Sequence, residues 1–294
     1  MVEFLVGVDG GGTSTRALLA RRDGQVVGQG QAGPSALQQG IPSAWEQVQL
    51  AVRRAFEVAG IAVPDWSRVA LAAGLSGVSN PPWRDEFVGT DPGFAKLVAE
   101  TDSFTMLVGA HGGRPGAIVI AGTGSIGEVW RADGTRNVVG GWGFPVSDEG
   151  SGAWLGLHAV RIAQAAIDGR SKAGALARAV WSRCGGDRDR LQAWCDRAGQ
   201  FEYGQVAPAV FESESADPAA AELLSHAVAS LEAIALALDP QGGLPLAVSG
   251  SIGERLSERF SPALRSHLVQ PADGPAAGAL TLIRAVVEWT GSER

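Results

Sequence analysis

The chain has 294 residues, 45% of them hydrophobic, and a formal net charge of −7. This length suits about two domains with buried cores. The acidic balance argues against a nucleic-acid partner, because phosphate backbones require a basic face. No run of about 18 apolar residues and no signal-peptide pattern occurs, so we expect a cytoplasmic protein that does not bind membranes.

The cysteines and lysines exclude several kinds of site. Cys184 and Cys195 are the only cysteines, too few for a disulfide framework or a four-thiolate metal site. The only lysines, Lys96 and Lys172, stand outside glycine-rich segments. This excludes nucleotide sites that depend on a loop lysine, such as the P-loop, and the absence of a His-Arg-Asp loop excludes a protein kinase.

The first predicted strand, at residues 5–8, runs into the segment GVDGGGTSTRALLA. Two more strands are predicted at residues 15–21 and 25–28, around the turn signal Asp23-Gly24. The glycines therefore open a hairpin, whereas the glycine loop of a dinucleotide-binding site opens a helix. A turn of glycine and threonine leaves backbone N–H groups accessible, which suits a phosphate; a tight turn without a ligand is the alternative.

Helices and strands alternate through the rest of the first half. Apolar spacing predicts a helix at residues 43–59, with Ser43 as its N-cap and Gly60 as its stop. The remaining elements are strands at 68–73 and 96–101 and a helix at 103–111. The segment GGRPG, residues 112–116, is the best candidate for a domain boundary.

The second half repeats the opening pattern of the first. An apolar strand at residues 117–121 enters the turn GTGSIG, and another strand at 128–131 leads to the turn Asp133-Gly134. This similarity indicates a weak internal repeat. Further predicted elements are helices at 151–168, 218–238 and 275–289 and a strand at 244–248.

Two aspartates stand at predicted strand ends. Asp9 could hold Mg²⁺, because hard cations prefer carboxylate and water ligands. Its alternative role is to satisfy the amides of the adjacent turn. Asp102 could accept a proton as a general base, or it could cap the helix that follows it.

Four motifs in chain order carry a resemblance to a known superfamily. They are GVDGGGTSTR at residues 7–16, IVIAGTGSIG at 118–127, LAVSGSIGERL at 246–256 and PAAGALTLI at 275–283. They resemble the first phosphate, second phosphate, adenosine and closing-helix motifs of the actin, hexokinase and Hsp70 ATPases. Within that superfamily the chain resembles the N-acetylglucosamine and glucosamine kinase branch, of the BadF/BadG/BcrA/BcrD type.

Three further segments match that branch. TDSFTMLVGAHGG at residues 101–113 resembles the segment with the catalytic base, LSG at 75–77 a sugar-side loop, and GGWGFPVSDEGSG at 140–152 a lining of the sugar pocket. The resemblance implies an α/β fold with two ribonuclease H-like lobes of the actin and hexokinase type and an ATP and sugar cleft between them. The implied N-terminal lobe is 1–113 completed by the C-terminal helix 277–294, and the C-terminal lobe is 114–276.

The resemblance also implies a function and a set of site residues. The protein would be an ATP-dependent amino-sugar kinase that uses Mg²⁺ and forms a homodimer, with N-acetylglucosamine as the first-choice substrate and glucosamine as the alternative. Asp102 would be the general base, and Asp9 the metal ligand. ATP and its phosphates would be bound by Asp9, Gly11, Gly12, Thr13, Thr15, Gly122, Thr123, Gly124, Gly250, Ser251 and Glu254. The sugar would be bound by Ser35, Ser76, Asp102, Ser125, Gly141, Trp142, Gly143 and Asp148.

Some positions leave alternatives open. Related kinases place a sugar-binding asparagine where this chain has Ala36, so Ser35, Gln38 or Gln39 replaces that contact or the preferred sugar differs. Trp142 would stack on the sugar ring, or it is a core tryptophan. Glu149 would support its loop or cap the helix that begins near residue 151.

Other functions share some of these features. An activator ATPase of CoA-ester dehydratases has the same ATP motifs, but it needs iron–sulfur ligands, and the segment around Cys184 and Cys195 is polar and charged. A sugar-sensing regulator would need a DNA-binding extension, which we do not expect before the first phosphate strand. A Ser-His-Asp hydrolase is disfavoured because no Gly-x-Ser-x-Gly elbow occurs.

Overall fold

The structure is a computed structural model that describes residues 1–291, with side chains through residue 288. The chain divides into two compact units. The first unit is Met1–Pro115 together with the chain from Gln270 onward, and the second is Gly116–Val269. The predicted lobes assign residues 114–115 and 270–276 to the second unit instead, and residues 292–294 of the predicted closing helix lie outside the described residues. The prediction that residues 1–113 with 277–294, and residues 114–276, act as two functional lobes stays a prediction.

Each unit is built around one sheet with helices. The strands are β1 (Phe4–Gly10), β2 (Thr15–Arg21), β3 (Val26–Ala32), β4 (Val69–Leu75), β5 (Lys96–Glu100), β6 (Gly116–Ala121), β7 (Ser125–Trp130), β8 (Arg136–Gly140), β9 (Leu246–Ser249) and β10 (Leu268–Val269). The helices are α1 (Ile41–Val58), α2 (Pro81–Gly89), α3 (Asp102–Ala110), α4 (Gly152–Ile167), α5 (Ala175–Cys184), α6 (Arg188–Cys195), α7 (Gln200–Gly204), α8 (Ala207–Ser213), α9 (Pro218–Leu238), α10 (Ser251–Ser257), α11 (Pro262–Arg265) and α12 (Pro275–Gly291). Short 3₁₀ turns occur at Leu37–Gln39 and Trp66–Arg68.

The two sheets have the same strand order. The first sheet is ordered β3-β2-β1-β4-β5. Counted from the corresponding edge, the second is ordered β8-β7-β6-β9-β10. In each, the first strand pairs antiparallel with the second and parallel with the fourth. This arrangement confirms the predicted α/β class and gives the weak internal repeat a structural counterpart.

In the first unit, the strand register places several residues at one edge of the sheet. Asp9 of β1 lies opposite Gly74 of β4, and Gly74 lies opposite Glu100 of β5. These are the carboxyl ends of three parallel strands, where open α/β sheets bind ligands. Asp102 follows β5 at the same edge.

Helices cover both faces of the first sheet. Side chains of a strand alternate between faces, so Val6 and Val8 pack in the cluster that holds α1, whereas Leu5 packs with Ala279 and Ile283 of α12. Both faces are buried, which explains why these strands read as almost continuous apolar runs.

Two predicted helix caps in the first unit are wrong. Helix α1 begins at Ile41 after Gly40, so Ser43 lies inside its first turn. Pro42 is pre-organised for that turn, and it starts the helix earlier than the cap signal indicates. Gly60 has φ of 66° and confirms the predicted stop. Helix α3 is capped by Thr101, whose side chain accepts from the Phe104 amide, so Asp102 is not its N-cap.

The second unit holds most of the helices that sequence analysis left unassigned. Helices α5 to α8 fill the segment between α4 and α9, and their apolar positions join one large core. They are short, so each carries too few apolar repeats for a periodic pattern to stand out. The prediction for α9 is confirmed at both ends.

Helix α9 is the only described helix that is long and apolar enough to cross a membrane. Within the most apolar 18 residues of this helix, 44% of the residues are buried inside the structure. Leu223, Leu224 and Leu231 of this helix belong to the core of the second unit. Its apolar character is therefore accounted for by packing within the protein.

Helices α3 and α12 approach each other closely because glycines lie where they cross. A Cβ added at Gly278 would lie 1.9 Å from the Thr105 carbonyl oxygen, and one at Gly109 would lie 2.2 Å from the Gly274 carbonyl oxygen. Any side chain at these positions would push the helices apart. The crossing therefore fixes α3, and with it Asp102, relative to the sheet.

We expect Gly278→Ala to lower the free energy of unfolding by about 1–3 kcal/mol, because the new methyl group overpacks a backbone contact. Denaturant unfolding measures this change. Gly89→Ala is the matched control: no atom lies within 4 Å of its Cβ position, so stability should stay equal or rise by up to about 1 kcal/mol. Equal stability of the wild type and Gly278→Ala would contradict the close-crossing argument.

Candidate functional site

The first glycine turn, which connects β1 to β2, is accessible to an anion from solvent. No protein atom lies within 4 Å of a Cβ added at Gly11, and the nearest atom at Gly12 is the Gln39 amide nitrogen at 3.8 Å. Gly12 and Thr13 are exposed. Backbone amides of such a turn can therefore be approached closely by a phosphate oxygen.

Buried hydroxyl groups support this turn from behind. Thr15 Oγ1 lies 2.6 Å from the Gly33 carbonyl oxygen and 2.7 Å from Ser35 Oγ. The Gly11 carbonyl oxygen accepts hydrogen bonds from the amides of Ser35 and Ala36, at 3.0 and 3.1 Å. Thr15 and Ser35 are buried, and their hydroxyls hold the turn in shape in this structure.

Ala36, at the position where the resemblance implies an asparagine, is not accessible to a ligand. Ala36 is buried, like Ser35 beside it. Gln39 remains exposed nearby, and its Nε2 donates to the Gly12 carbonyl oxygen at 3.3 Å. Among Ser35, Gln38 and Gln39, Gln39 is therefore the residue whose side-chain amide contacts the glycine turn.

The other predicted residues of the first unit gather at the carboxyl edge of its sheet. Ser76 follows β4, and its amide donates to the Gly10 carbonyl oxygen at 3.0 Å. Asp9 and Asp102 interact electrostatically there. Asp102 Oδ1 accepts a hydrogen bond from the Ser103 amide at 3.0 Å. The structure thus brings the predicted base and the predicted metal ligand to the same edge.

The second glycine turn connects β6 to β7. The Gly122 amide donates to the Gly124 carbonyl oxygen at 2.9 Å, and the Gly122 carbonyl oxygen accepts from the Gly152 amide at 2.8 Å. Thr123 is exposed, whereas Ser125 is buried with its hydroxyl donating to the Glu149 carbonyl oxygen at 2.7 Å. Thr123 is therefore accessible to a ligand, and Ser125 holds the following loop.

A cavity of about 330 Å³ lies beside this turn, within the second unit. It is lined by Gly122, Thr123, Gly152, Gly204, Gln205, Ala207, Pro208, Phe211, Ser251, Ile252 and Arg255. Gly250, with φ of 87°, leads into α10 and passes so close to β6 that a Cβ would lie 2.4 Å from the Ala121 carbonyl oxygen. Glu254 is exposed on α10 and does not line the cavity.

Arg255 and Phe211 are among the lining residues of this cavity that sequence reasoning missed. The Arg255 guanidinium lies over the Phe211 ring, 3.9 Å from its centroid. Arg255 stands four positions after Ser251, so both share one face of α10. That spacing could have indicated Arg255, but nothing in the local sequence indicates Phe211.

The glycine-rich loop that follows β8 exposes a tryptophan. Gly140, Gly141, Gly143 and Gly150 all have positive φ, a conformation that other residues rarely adopt. Trp142 is 86% exposed. The alternative of a core tryptophan is therefore wrong, and its ring is available to a ligand.

Asp148 is the buried carboxylate of this loop. Its Oδ2 accepts from Gln200 Nε2 at 2.8 Å and its Oδ1 from the Ser125 amide at 3.4 Å. Burial raises the pKa of Asp148, the Ser125 amide opposes that change, and the charge of Glu149 adds to it. Helix α4 is capped by Ser151, so Glu149 is not its cap; its carboxylate accepts from Ser147 instead.

The chain is similar to several known proteins. The family model "BadF/BadG/BcrA/BcrD ATPase family" matches residues 6–276. A glucosamine kinase from Vibrio cholerae is 34% identical over 280 residues, 95% of each chain. An N-acetylmuramic acid/N-acetylglucosamine kinase from Clostridium acetobutylicum is 27% identical over 58% of this chain and 56% of its own.

A solved structure resembles the whole chain. A protein from Chromobacterium violaceum, assigned as an N-acetylglucosamine kinase, has 45% sequence identity and a TM-score of 0.91, covering 96% of this chain and 99% of its own. This similarity confirms the predicted actin- and hexokinase-type fold. With the family match over most of its length, the chain belongs to the BadF/BadG/BcrA/BcrD ATPase family.

Proposed function

We propose that the protein is an ATP-dependent amino-sugar kinase that phosphorylates the 6-hydroxyl of N-acetylglucosamine, with glucosamine as the alternative acceptor. Identity of 45% to the Chromobacterium violaceum protein and of 34% to the Vibrio cholerae glucosamine kinase supports an amino sugar as substrate. The observation that carries the proposal is the accessible carboxylate of Asp102 at the ligand-binding edge of the first sheet.

Asp102 has the chemistry of a general base. The residue is accessible to solvent, yet desolvation by surrounding protein raises the pKa of its carboxylate, and the Ser103 amide opposes that change. A raised pKa makes the carboxylate a better proton acceptor. Asp102 would accept the proton of the sugar hydroxyl as that oxygen attacks.

Considered separately, each glycine turn suits a phosphate group, and the cavity of the second unit suits a nucleotide. Gly11 and Gly122 have no atom within 4 Å of a Cβ position, so phosphate oxygens can reach the backbone. The Arg255–Phe211 stack offers a flat cationic surface for the base. When bound, ATP supplies the phosphoryl group, and Mg²⁺ neutralises charge on its phosphates.

Asp9 fits a role as magnesium ligand. Desolvation raises its pKa to about 6; the charge of Asp102 adds to this shift and Arg16 opposes it. The ionised form is therefore disfavoured in the protein without ligands. A bound cation would favour the ionised form of Asp9, because its positive charge attracts the carboxylate and offsets the repulsion from Asp102.

The loop at residues 140–150 would form the sugar side. Trp142 presents an exposed ring between two glycines with positive φ, which suits stacking on a pyranose. Asp148 would accept a hydrogen bond from a sugar hydroxyl. Gln39, whose side chain is exposed, would supply an amide in place of the asparagine that the resemblance implies.

The cysteines argue against the activator ATPase. Cys184 is buried, and desolvation together with the nearby Cys195 raises its pKa to about 11. Cys184 packs in the hydrophobic core of the second unit, so its thiol is not accessible to an iron–sulfur cluster. A cytoplasmic location and a homodimer remain part of our proposal from the family resemblance.

A coupled ADP-release assay with Mg²⁺-ATP tests the function. We expect strong turnover with N-acetylglucosamine, and weaker turnover with glucosamine, N-acetylmannosamine and glucose at matched concentrations. A preference for glucosamine would select the alternative acceptor. ATP hydrolysis that does not depend on any sugar would contradict the kinase proposal.

We expect Asp102→Asn to lower kcat about 10²- to 10⁴-fold, because the amide cannot accept the proton. The melting temperature should change little. The matched control is Asp189→Asn, which alters another aspartate in the first turn of a helix and should keep full activity. Turnover of Asp102→Asn near the wild-type value would remove Asp102 from the role of base.

Without ligands, Asp9→Asn should raise the melting temperature at pH 7.5 by about 2–4 °C. The pKa of Asp9 is about 6 in the folded protein, against an ordinary value of 3.8. The wild type therefore loses stability as the pH rises from 3.8 to about 6. The Asp9→Asn variant avoids that loss, because its side-chain amide does not titrate. Differential scanning calorimetry from pH 3.5 to 8 should show the two curves converging below pH 4.

Asp133→Asn is the control of opposite sign. Asp133 accepts hydrogen bonds from the amide and hydroxyl of Thr135, and these bonds lower its pKa. Its replacement should leave the melting temperature at pH 7.5 unchanged or lower. A melting temperature of Asp9→Asn below that of the wild type at pH 7.5 would contradict the argument.

A further inference from the structure

Asp148 is held by a partner from a distant part of the chain. The amide nitrogen of Gln200, the first residue of α7, donates to Asp148 Oδ2 at 2.8 Å across a separation of 52 residues. The Ser125 amide approaches the other oxygen, Oδ1, at 3.4 Å. The side-chain amide therefore makes the shorter of the two bonds and sets the direction of the carboxylate.

The Gln200–Asp148 bond lies directly against the second glycine turn. A Cβ added at Gly124 would lie 3.0 Å from Asp148 Oδ2 and 3.0 Å from Gln200 Nε2. A side chain at position 124 would therefore crowd both partners of the bond. Glycine at this position lets the turn, the carboxylate and the amide meet.

The residues after Gln200 reach both the glycine-rich loop and the cavity. The Tyr203 ring lies 5.3 Å from that of Phe144 in the loop. A Cβ added at Gly204 would lie 3.3 Å from Thr123 Cγ2 of the glycine turn. Gln205 lines the cavity next to that turn. Helix α7 and its first following residue thus connect the loop that carries Asp148 to the candidate nucleotide site.

Asp148 needs such a partner. Its φ of 68° is unusual for a residue with a side chain, and a buried carboxylate without donors would pay a desolvation penalty. The neighbouring charge of Glu149 raises the pKa of Asp148 and so disfavours its ionisation. A carboxylate has about four lone-pair sites, so these two bonds leave acceptor sites for a ligand hydroxyl.

We propose that Gln200 is a positioning residue, which orients the Asp148 carboxylate toward the sugar and ties the sugar loop to the phosphate turn. The proposal rests on the proposed function, in which Asp148 accepts a hydrogen bond from the acceptor sugar. Gln200 itself would contact neither ATP nor sugar. Its effect would appear in sugar binding, because the bond that it makes is to the sugar-binding carboxylate.

The decisive variant is Gln200→Glu, which has nearly the same shape but replaces the donor with a second carboxylate. At pH 8 the two carboxylates repel, and we expect the KM for the sugar to rise at least about tenfold, while the KM for ATP stays within about twofold. At about pH 5.5 one shared proton bridges such a pair. The KM for the sugar should then return toward the wild-type value.

Gln200→Leu and Gln192→Glu complete the experiment. Gln200→Leu removes the donor without adding a charge, so its KM for the sugar should rise by a similar factor at every pH. Gln192 Nε2 donates to Asp196 Oδ1 at 2.8 Å on the exposed surface of α6, which is the same Gln–Asp pair outside the site. Gln192→Glu should leave both KM values unchanged.

The outcomes separate the two proposals. An active wild type with unchanged sugar KM in both Gln200 variants would overturn the positioning role alone. Equal rises in both KM values, together with a lower melting temperature and no recovery at low pH, would show a merely structural role and also overturn it. A wild type without sugar-dependent turnover would overturn the proposed function, and the role of Gln200 with it.

Discussion

Close backbone approach is the constraint on which the rest of the first unit depends. Sheet, helix α12 and helix α3 pack so tightly that carbonyl oxygens occupy the space of a side chain at Gly7, Gly109 and Gly278. Interiors at this density resist displacement. The packing therefore fixes the carboxyl ends of β1 and β5 with little freedom, and Asp9 and Asp102 stand where those strands end. Gly7, Gly109 and Gly278 thus act through packing alone, away from the groups that they position.

The electrostatics of this edge follow from that packing. Burial and the neighbouring charge of Asp102 both disfavour the ionised form of Asp9. In the absence of a cation, the fold thus keeps two carboxylates close at a cost in stability. Such a cost is expected at a functional site, where local stability is exchanged for a group that is ready to bind or react. A bound cation would offset this loss of stability.

The sequence was sufficient for most strands and the long helices, and insufficient where contacts are distant. Apolar runs identify β2 to the residue and the ends of β1 and β4 to within two residues, because both faces of the sheet are buried. The N-cap at Ser43 failed because Pro42 starts the helix earlier. The exposure of Trp142, the stacking of Arg255 on Phe211 and the bond from Gln200 to Asp148 depend on tertiary contacts that no local pattern encodes. Motif resemblance proposed the candidate site, while only the structure identified the groups that surround its residues.

The internal repeat explains how the two units came to differ in chemistry. In the first unit, Gly10 pairs with Thr15 across the glycine turn; in the second, Ala121 pairs with Ser125. By this register, Asp9 corresponds to Ile120. One copy of the turn therefore stands beside a carboxylate that suits a cation, and the other beside an apolar residue and a cavity lined by Arg255. A βββ arrangement with a glycine turn thus occurs once in each unit, and only the first copy carries a carboxylate before its turn.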